Sequence, residues 1–307
     1  MTDLLPNWDT HSVESLRKFS KVCLVVADLD GTLLRLGTNT LSETIRTQRR
    51  TSKYHVSLTL ATGRSFNGAV DLLGQLAIPK GTPLILYNGS LVVQASTRSV
   101  IYQRIIPGEI LRRVIKTCLE YPVRVLAYVY ENPIFGSDGL TVQNEYVVGW
   151  TTTSAIEVEF NNMLVQWQND SFPTENIEHC VAILVDVSAD LRSREIIEKR
   201  LNAFGEVSVT RSGLTYVEVR PRGSNKGAAL DIVTEHLRLR REEVLAIGDN
   251  DNDCEMLDRA GIGVAVAKAS QAALNNSDYV SSHGAAEAVI EVLRLVRHAK
   301  RYFSRRV

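Results

Sequence analysis

Short apolar runs recur along the chain, separated by stretches in which apolar positions return every three or four residues. "KVCLVVADLD" (21–30), "SLTLATG" (57–63) and "TPLILYNGS" (82–90) lie in the first third, and "EVLAIGD" (243–249), "GIGVAVA" (261–267) and "SDYVSS" (277–282) in the last. These runs are short, mostly apolar on both alternating sets of positions and rich in β-branched residues, the pattern of parallel strands covered on both faces. Between them, "SNKGAALDIVTEHLRLR" (224–240) sets Leu230, Val233 and Leu237 on one face of a helix. Strands alternating with helices at this spacing predict an α/β fold, a doubly wound parallel sheet.

The middle of the chain has a different rhythm. Strands are predicted at 91–95, 100–106, 123–131, 179–187, 206–212 and 214–220, with helices at about 107–120 and 189–204. Strand pairs joined by tight turns, as in "VSVTRSGLTYVEV", imply antiparallel pairing. The expected organisation is a core of residues 1–88 and 218–307 (with 1–20 as an N-terminal extension) and an inserted α+β domain at 89–217. Trp150 and Trp167 are expected in the core of the insert.

Composition narrows the function. The 307 residues are 44% hydrophobic and 23% charged, enough for one large domain or two ordinary ones. Lys plus Arg and Asp plus Glu number 35 each, so bulk charge recruits neither nucleic acid nor an anionic membrane. The basic end "RLVRHAKRYFSRRV" (294–307) is the local exception and is read as the solvated end of a last helix. Cys23, Cys118, Cys180 and Cys254 show neither paired nor zinc-like spacing, which suits a reducing compartment. The start "MTDLLPNWDTHSVESLRKF" lacks the basic-then-apolar order of a secretory leader, and no apolar run approaches membrane length. The expected address is the cytoplasm, as a monomer or homodimer.

The candidate chemistry lies where strands end. "VVADLDGTLL" closes an apolar run with Asp28 and Asp30 and turns on Gly31 and Thr32. Successive side chains on a strand point to opposite faces, so Asp28 and Asp30 share a face and Leu29 points away. Ligands of open parallel sheets bind beyond such C-terminal strand ends. Two carboxylates there require a cation or a shared proton.

A second acidic cluster, "GDNDND" (248–253), follows "VLAI". Asp249, Asp251 and Asp253 match the first, third and fifth ligands of a calcium loop, but Cys254 and Ala260 stand where that loop needs Gly and Glu. The cluster is then either a solvated acidic helix start or part of a hard-cation site shared with Asp28 and Asp30, for which Mg²⁺ is the fitting ion. "LATGRSF" (60–66) offers the Thr62 hydroxyl and backbone N–H groups before a helix, and "GSNKG" (223–227) places Lys226 in a first helical turn. Each could hold an anion or be an ordinary turn and a solvated lysine.

In combination, these pieces resemble the haloacid dehalogenase superfamily, whose four motifs come in this order, and most closely its Cof-type branch of small-molecule phosphatases. The counterparts are Ala61–Arg64, Tyr87–Gly89, Asn225–Leu230, Gly248–Leu257 and Ala260–Val266. The resemblance implies that the insert is a cap domain and that phosphoryl transfer runs through an aspartyl-phosphate. Asp28 would be the nucleophile and Asp30 the proton donor and acceptor. Thr62 and Lys226 would bind the phosphoryl oxygens, and Mg²⁺ would be held by Asp28, the Asp30 carbonyl and Asp249. Asp253 and Asn252 would position that ion or Lys226. Leu29, Gly63, Arg64, Asn88 and Asn252 would lie with the substrate and its phosphate, the substrate being a small phosphorylated metabolite such as a sugar phosphate or phosphorylated cofactor. A phosphomutase on the same core and a silent Mg²⁺- and phosphate-binding regulator are the alternatives. Three features depart from the family: Lys268 stands where Asn is usual, 281–289 is shorter than usual, and 1–20 have no counterpart.

Overall fold

The computed structural model describes residues 3–6, 13–34, 41–76, 78–79, 81–131, 134–136, 139–141, 144–151, 164–167, 177–212 and 214–305. They form two compact units. The first is Met1–Gly63, Asp71–Ser96 and Asn225–Val307; the second is Arg64–Val70 and Thr97–Ser224.

The first unit is built on a six-stranded sheet whose described pairs are all parallel. Its order is Asp3–Leu4, Tyr279–Val280, Ile262–Ala265, Val244–Gly248, Leu24–Ala27, Ser57–Leu60. Every residue of Leu24–Ala27, Val244–Gly248 and Ile262–Ala265 is buried, as their unbroken apolar runs require. A bridge from Ala61 to Ile85 extends the sheet toward Pro83–Leu86, which pairs antiparallel with Leu91–Gln94. The helices Val13–Lys21 and Leu41–Thr51 pack on the long last helix, Ala285–Ser304. Helix Lys226–His236 packs on Cys254–Arg259.

Two expectations change here, and the placement of the N-terminal extension, left open in the sequence, becomes visible. The strand expected to run through 30 is Leu24–Ala27 and stops before the aspartates. The chain then turns back: the Leu29 carbonyl accepts the N–H groups of Leu33 and Leu34, at 3.0 and 2.7 Å, and Gly31 takes a φ of 98°. Strand alternation therefore does not put Asp28 and Asp30 on one face. The basic C-terminal segment is solvated on one side only, since Leu295, Val296 and Ala299 are buried. The N-terminal extension is part of the fold: Asp3–Leu4 adds an edge strand, and Phe19 is fully buried with its ring centroid 5.5 Å from that of Tyr279.

The second unit is a mostly antiparallel sheet in the order Leu164–Trp167, Asn144–Thr151, Arg124–Glu131, Cys180–Asp186, Tyr216–Pro221, Val207–Ser212. One pair, Asn144–Thr151 with Leu164–Trp167, is parallel. Val125, Ala127 and Val129 alternate toward a core shared with Ile110, Leu111 and Val114 of helix Gly108–Cys118 and with Ile197 and Leu201 of helix Ser193–Asn202. Trp150 is buried in this core as expected, whereas the side chain of Trp167 lies outside what is described. Sequence reading missed the strands Ile134–Gly136, Gly139–Thr141, Asn144–Thr151 and Leu164–Trp167. "NEYVVGWT" starts polar and carries Gly149, which blurs its alternation.

The buried carboxylate of Glu145 accepts the backbone N–H groups of Phe66, at 2.9 Å, and Asn67, at 2.7 Å, at the start of helix Phe66–Leu76. The Ser65 hydroxyl takes that of Gly68 at 2.9 Å. These acceptors satisfy orphan donors of the helix, and the negative charge suits its positive end.

Truncating Phe19 tests whether the extension is integral. Phe19→Ala should lower the unfolding free energy by about 3 to 5 kcal/mol, read from denaturant curves. A change within error would make the extension an appendage.

Candidate active site

Two loops at the C-terminal ends of neighbouring parallel strands bring the acidic residues together. Asp28 extends the ladder of Leu24–Ala27 by one bond, its N–H donating to the Ile247 carbonyl at 2.9 Å. Asp249 follows the buried strand Val244–Gly248, and Asp253 closes the next turn. Carboxylate oxygens of Asp28, Asp249 and Asp253 lie within 4.8 Å of one another.

Lys226 is what makes this density possible. It is the first residue of helix Lys226–His236, whose N-cap Asn225 accepts the Ala228 N–H at 2.7 Å. Its side chain is fully buried, and Nζ donates to Asp28 Oδ1 at 2.5 Å and to Asp253 Oδ1 at 2.7 Å. The other oxygen of Asp253 accepts the N–H groups of Asp249 and Asn250, at 2.9 and 3.1 Å. With three donors, Asp253 is committed to holding Lys226 and the turn. Asp249 Oδ1 accepts the Thr32 hydroxyl at 2.8 Å. Thr32 sits inside the Asp-x-Asp-Gly-Thr motif, but sequence reasoning gave it no role.

The electrostatics are unbalanced. Three carboxylates face one ammonium, and like charges about 4 Å apart repel by roughly 4 kcal/mol at an effective dielectric near 20. Burial pushes the Asp28 carboxyl up to about 7; Lys226 opposes that shift, and Asp253 and Asp249 add to it. Burial also raises Asp249, with the Thr32 hydroxyl offsetting part of the rise. For Lys226, burial works against the ammonium, but Asp253 and Asp28 outweigh it and hold the group above the usual lysine range. The surplus negative charge and hard oxygen donors fit a divalent cation such as Mg²⁺, with Asp28 and Asp249 best placed to hold it.

The remaining candidates divide. Thr62 is buried, its carbonyl accepting the Asn88 N–H at 3.0 Å, and Asn252 Nδ2 donates to Asn88 Oδ1 at 3.0 Å. A Cβ on Gly63 would come 3.0 Å from Asn88 Nδ2, so Thr62, Gly63, Asn88 and Asn252 form one cluster. Leu29 is fully buried, its carbonyl held inside the turn by the N–H groups of Leu33 and Leu34. Asp30 is exposed, and its backbone bridges to Leu34. It is not in the carboxylate trio. Arg64 belongs to the second unit, where its guanidinium donates to the Gly68 carbonyl at 3.2 Å. The N–H groups of Phe66 and Asn67, at the helix start that follows Thr62 and Gly63, are held by Glu145. Lys268 is exposed and has a φ of 67°, a backbone that Asn tolerates better than Lys.

Comparison with known proteins bears on the family and the fold. The model of the haloacid dehalogenase-like hydrolase family matches residues 25–293. An HMP-PP phosphatase of Yersinia pseudotuberculosis serotype I is 30% identical over 250 residues, covering 80% of this chain and 84% of the relative. A haloacid dehalogenase-like hydrolase from Bacteroides thetaiotaomicron superposes with a TM-score of 0.72 at 26% identity, covering 89% of this chain and 98% of that one. TM0651 from Thermotoga maritima shares the fold, with a TM-score of 0.67 at 23% identity over 89% of this chain and 97% of its own.

The tightest backbone approach offers a structural test. Tyr87, Asn88 and Gly89 all have positive φ, and a Cβ on Gly89 would lie 2.2 Å from the Asn225 carbonyl oxygen. Gly89→Ala should therefore cost at least about 2 kcal/mol of stability by shifting the start of the Lys226 helix. Thermal melts showing no loss would mean that helix is not tied to this turn.

Proposed function

Because this chain belongs to the haloacid dehalogenase-like hydrolases, we propose that it is a Mg²⁺-dependent phosphatase that hydrolyses a small phosphorylated metabolite through an aspartyl-phosphate on Asp28. One observation carries this reading: a buried lysine joins Asp28 to Asp253 beside a third carboxylate, Asp249. A structural salt bridge has no use for the extra acid.

Each side chain has a distinct task. Asp28 attacks phosphorus through a carboxylate oxygen while the bond to the leaving oxygen breaks. Asp30, exposed and two residues on, gives that oxygen its proton and then takes one from the water that attacks the acyl phosphate. This second displacement releases phosphate and restores the Asp28 carboxylate. Lys226 keeps Asp28 oriented and offsets charge on the phosphoryl oxygens, and the Thr62 hydroxyl is the neutral donor to the same group. Asp253 fixes Lys226, and Thr32 fixes Asp249. When bound, Mg²⁺ would supply the positive charge that lets a carboxylate approach a phosphate dianion. Asn88, Asn252 and Gly63 shape the floor on which the phosphate rests. Substrate choice falls to the inserted unit, acting as a cap. HMP-PP is the first compound to try, since the relative's name gives it as that enzyme's substrate.

Asp28→Asn should cut phosphate release from a panel of phosphorylated metabolites, HMP-PP included, by roughly a thousandfold or more while the protein stays folded. Turnover by cleanly purified Asp28→Asn protein would remove the nucleophile assignment. A second outcome concerns protons. The Asp28 carboxyl at about 7 is protonated below that pH and must ionise to hold a cation. Mg²⁺ affinity should therefore rise with pH up to about 7, flatten above it, and release protons on binding. Calorimetry in buffers of different ionisation enthalpy measures this, and a pH-independent affinity would take Asp28 out of the ligand set.

A further inference from the structure

The basic C-terminal segment plays no part in the chemistry above, and its placement is unlike that of a solvated helix end. Arg294, Arg297, His298 and Arg301 recur at helical spacing on Ala285–Ser304 and line one cleft of about 290 Å³. The neighbouring helix Leu41–Thr51 packs against this helix and adds Arg50 beside Arg297. At the upper end of the stripe, Arg294 is paired with Glu43. Further along, no carboxylate pairs with Arg50, Arg297 or Arg301 among the described residues. Arg297 is only partly exposed, so its charge is neither matched nor fully hydrated.

We propose that this cleft binds a compact oligophosphate, the di- or triphosphate part of a soluble metabolite, at a site separate from the carboxylate cluster. The concave shape argues for a small ligand, because a nucleic-acid backbone needs an extended basic track and the chain as a whole has a net charge of zero. Its volume is near the lower end for small-molecule sites and suits a few phosphate groups. Guanidinium forks match phosphate oxygens two at a time, and several of them converging here favour a chain of phosphates over one. Burial, followed by the charges of Arg50, Arg294 and Arg301, lowers the guanidinium of Arg297 below its ordinary range; an anion would reverse the second of these effects. None of these residues is assigned to the hydrolytic site, so the proposal does not depend on that reading.

The test is titration of sodium tripolyphosphate into the Mg²⁺-free protein by calorimetry at physiological salt. Wild type is compared with Arg301→Gln, Arg297→Gln and the double variant. Wild type should bind saturably, each single variant should lose about tenfold in affinity, and the double variant about a hundredfold. The unfolding midpoint and phosphatase rate should stay unchanged in Arg301→Gln, whose side chain is exposed. Equal affinity in all four proteins would place the anion elsewhere and overturn the proposal. Absence of saturable binding by wild type would do the same. Cosedimentation with phosphoinositide vesicles without binding to free tripolyphosphate would assign the patch to a membrane surface instead.

Discussion

The ammonium of Lys226, buried 2.5 Å from Asp28 and 2.7 Å from Asp253, is the contact around which the loops of the acidic cluster are arranged. Charges without access to water are stable only when paired and hydrogen-bonded, so whatever positions Lys226 positions the carboxylates too. Asn225 starts its helix, Asp253 spends one oxygen on the lysine and the other on two backbone N–H groups, and Gly89 lets the neighbouring turn touch the helix cap. Loops that are 198 residues apart in the chain meet through one side chain. That pairing leaves Asp249 without a cation of its own among the described residues, which is the electrostatic opening for a divalent ion.

Much of this was legible in the sequence because parallel strands buried on both faces leave a simple trace. The runs around Leu24–Ala27 and Val244–Gly248 could be recognised without reference to the rest of the chain, and the acidic motifs follow them directly. The relation of Asp28 to Asp30 was not legible in the same way. It depended on where the strand ended, and the chain left the strand three residues sooner than the apolar pattern suggested, turning at Gly31.

Contacts between distant segments were harder still. Nothing in "LATGRSF" shows that Glu145, nearly eighty positions away, takes the N–H groups at the start of the helix that follows. Likewise, Thr32 gains its role only once Asp249 is beside it. In the inserted unit the weak alternation around Gly149 hid a strand that pairs with Arg124–Glu131 along its full length. Periodicity reports which side of an element is buried, whereas partner choice is decided by the topology that brings elements together.

The two-residue strand Asp3–Leu4 lies at the outer margin of the six-stranded sheet. An uncovered parallel edge presents free amide and carbonyl groups to any passing chain, and such edges are where proteins add strands to one another and aggregate. Capping Tyr279–Val280 with a segment this short, beginning with a charged residue, closes most of that template and offers little new length to copy. The N-terminal segment, which the family resemblance left unexplained, thereby covers the edge along which strand addition would otherwise proceed.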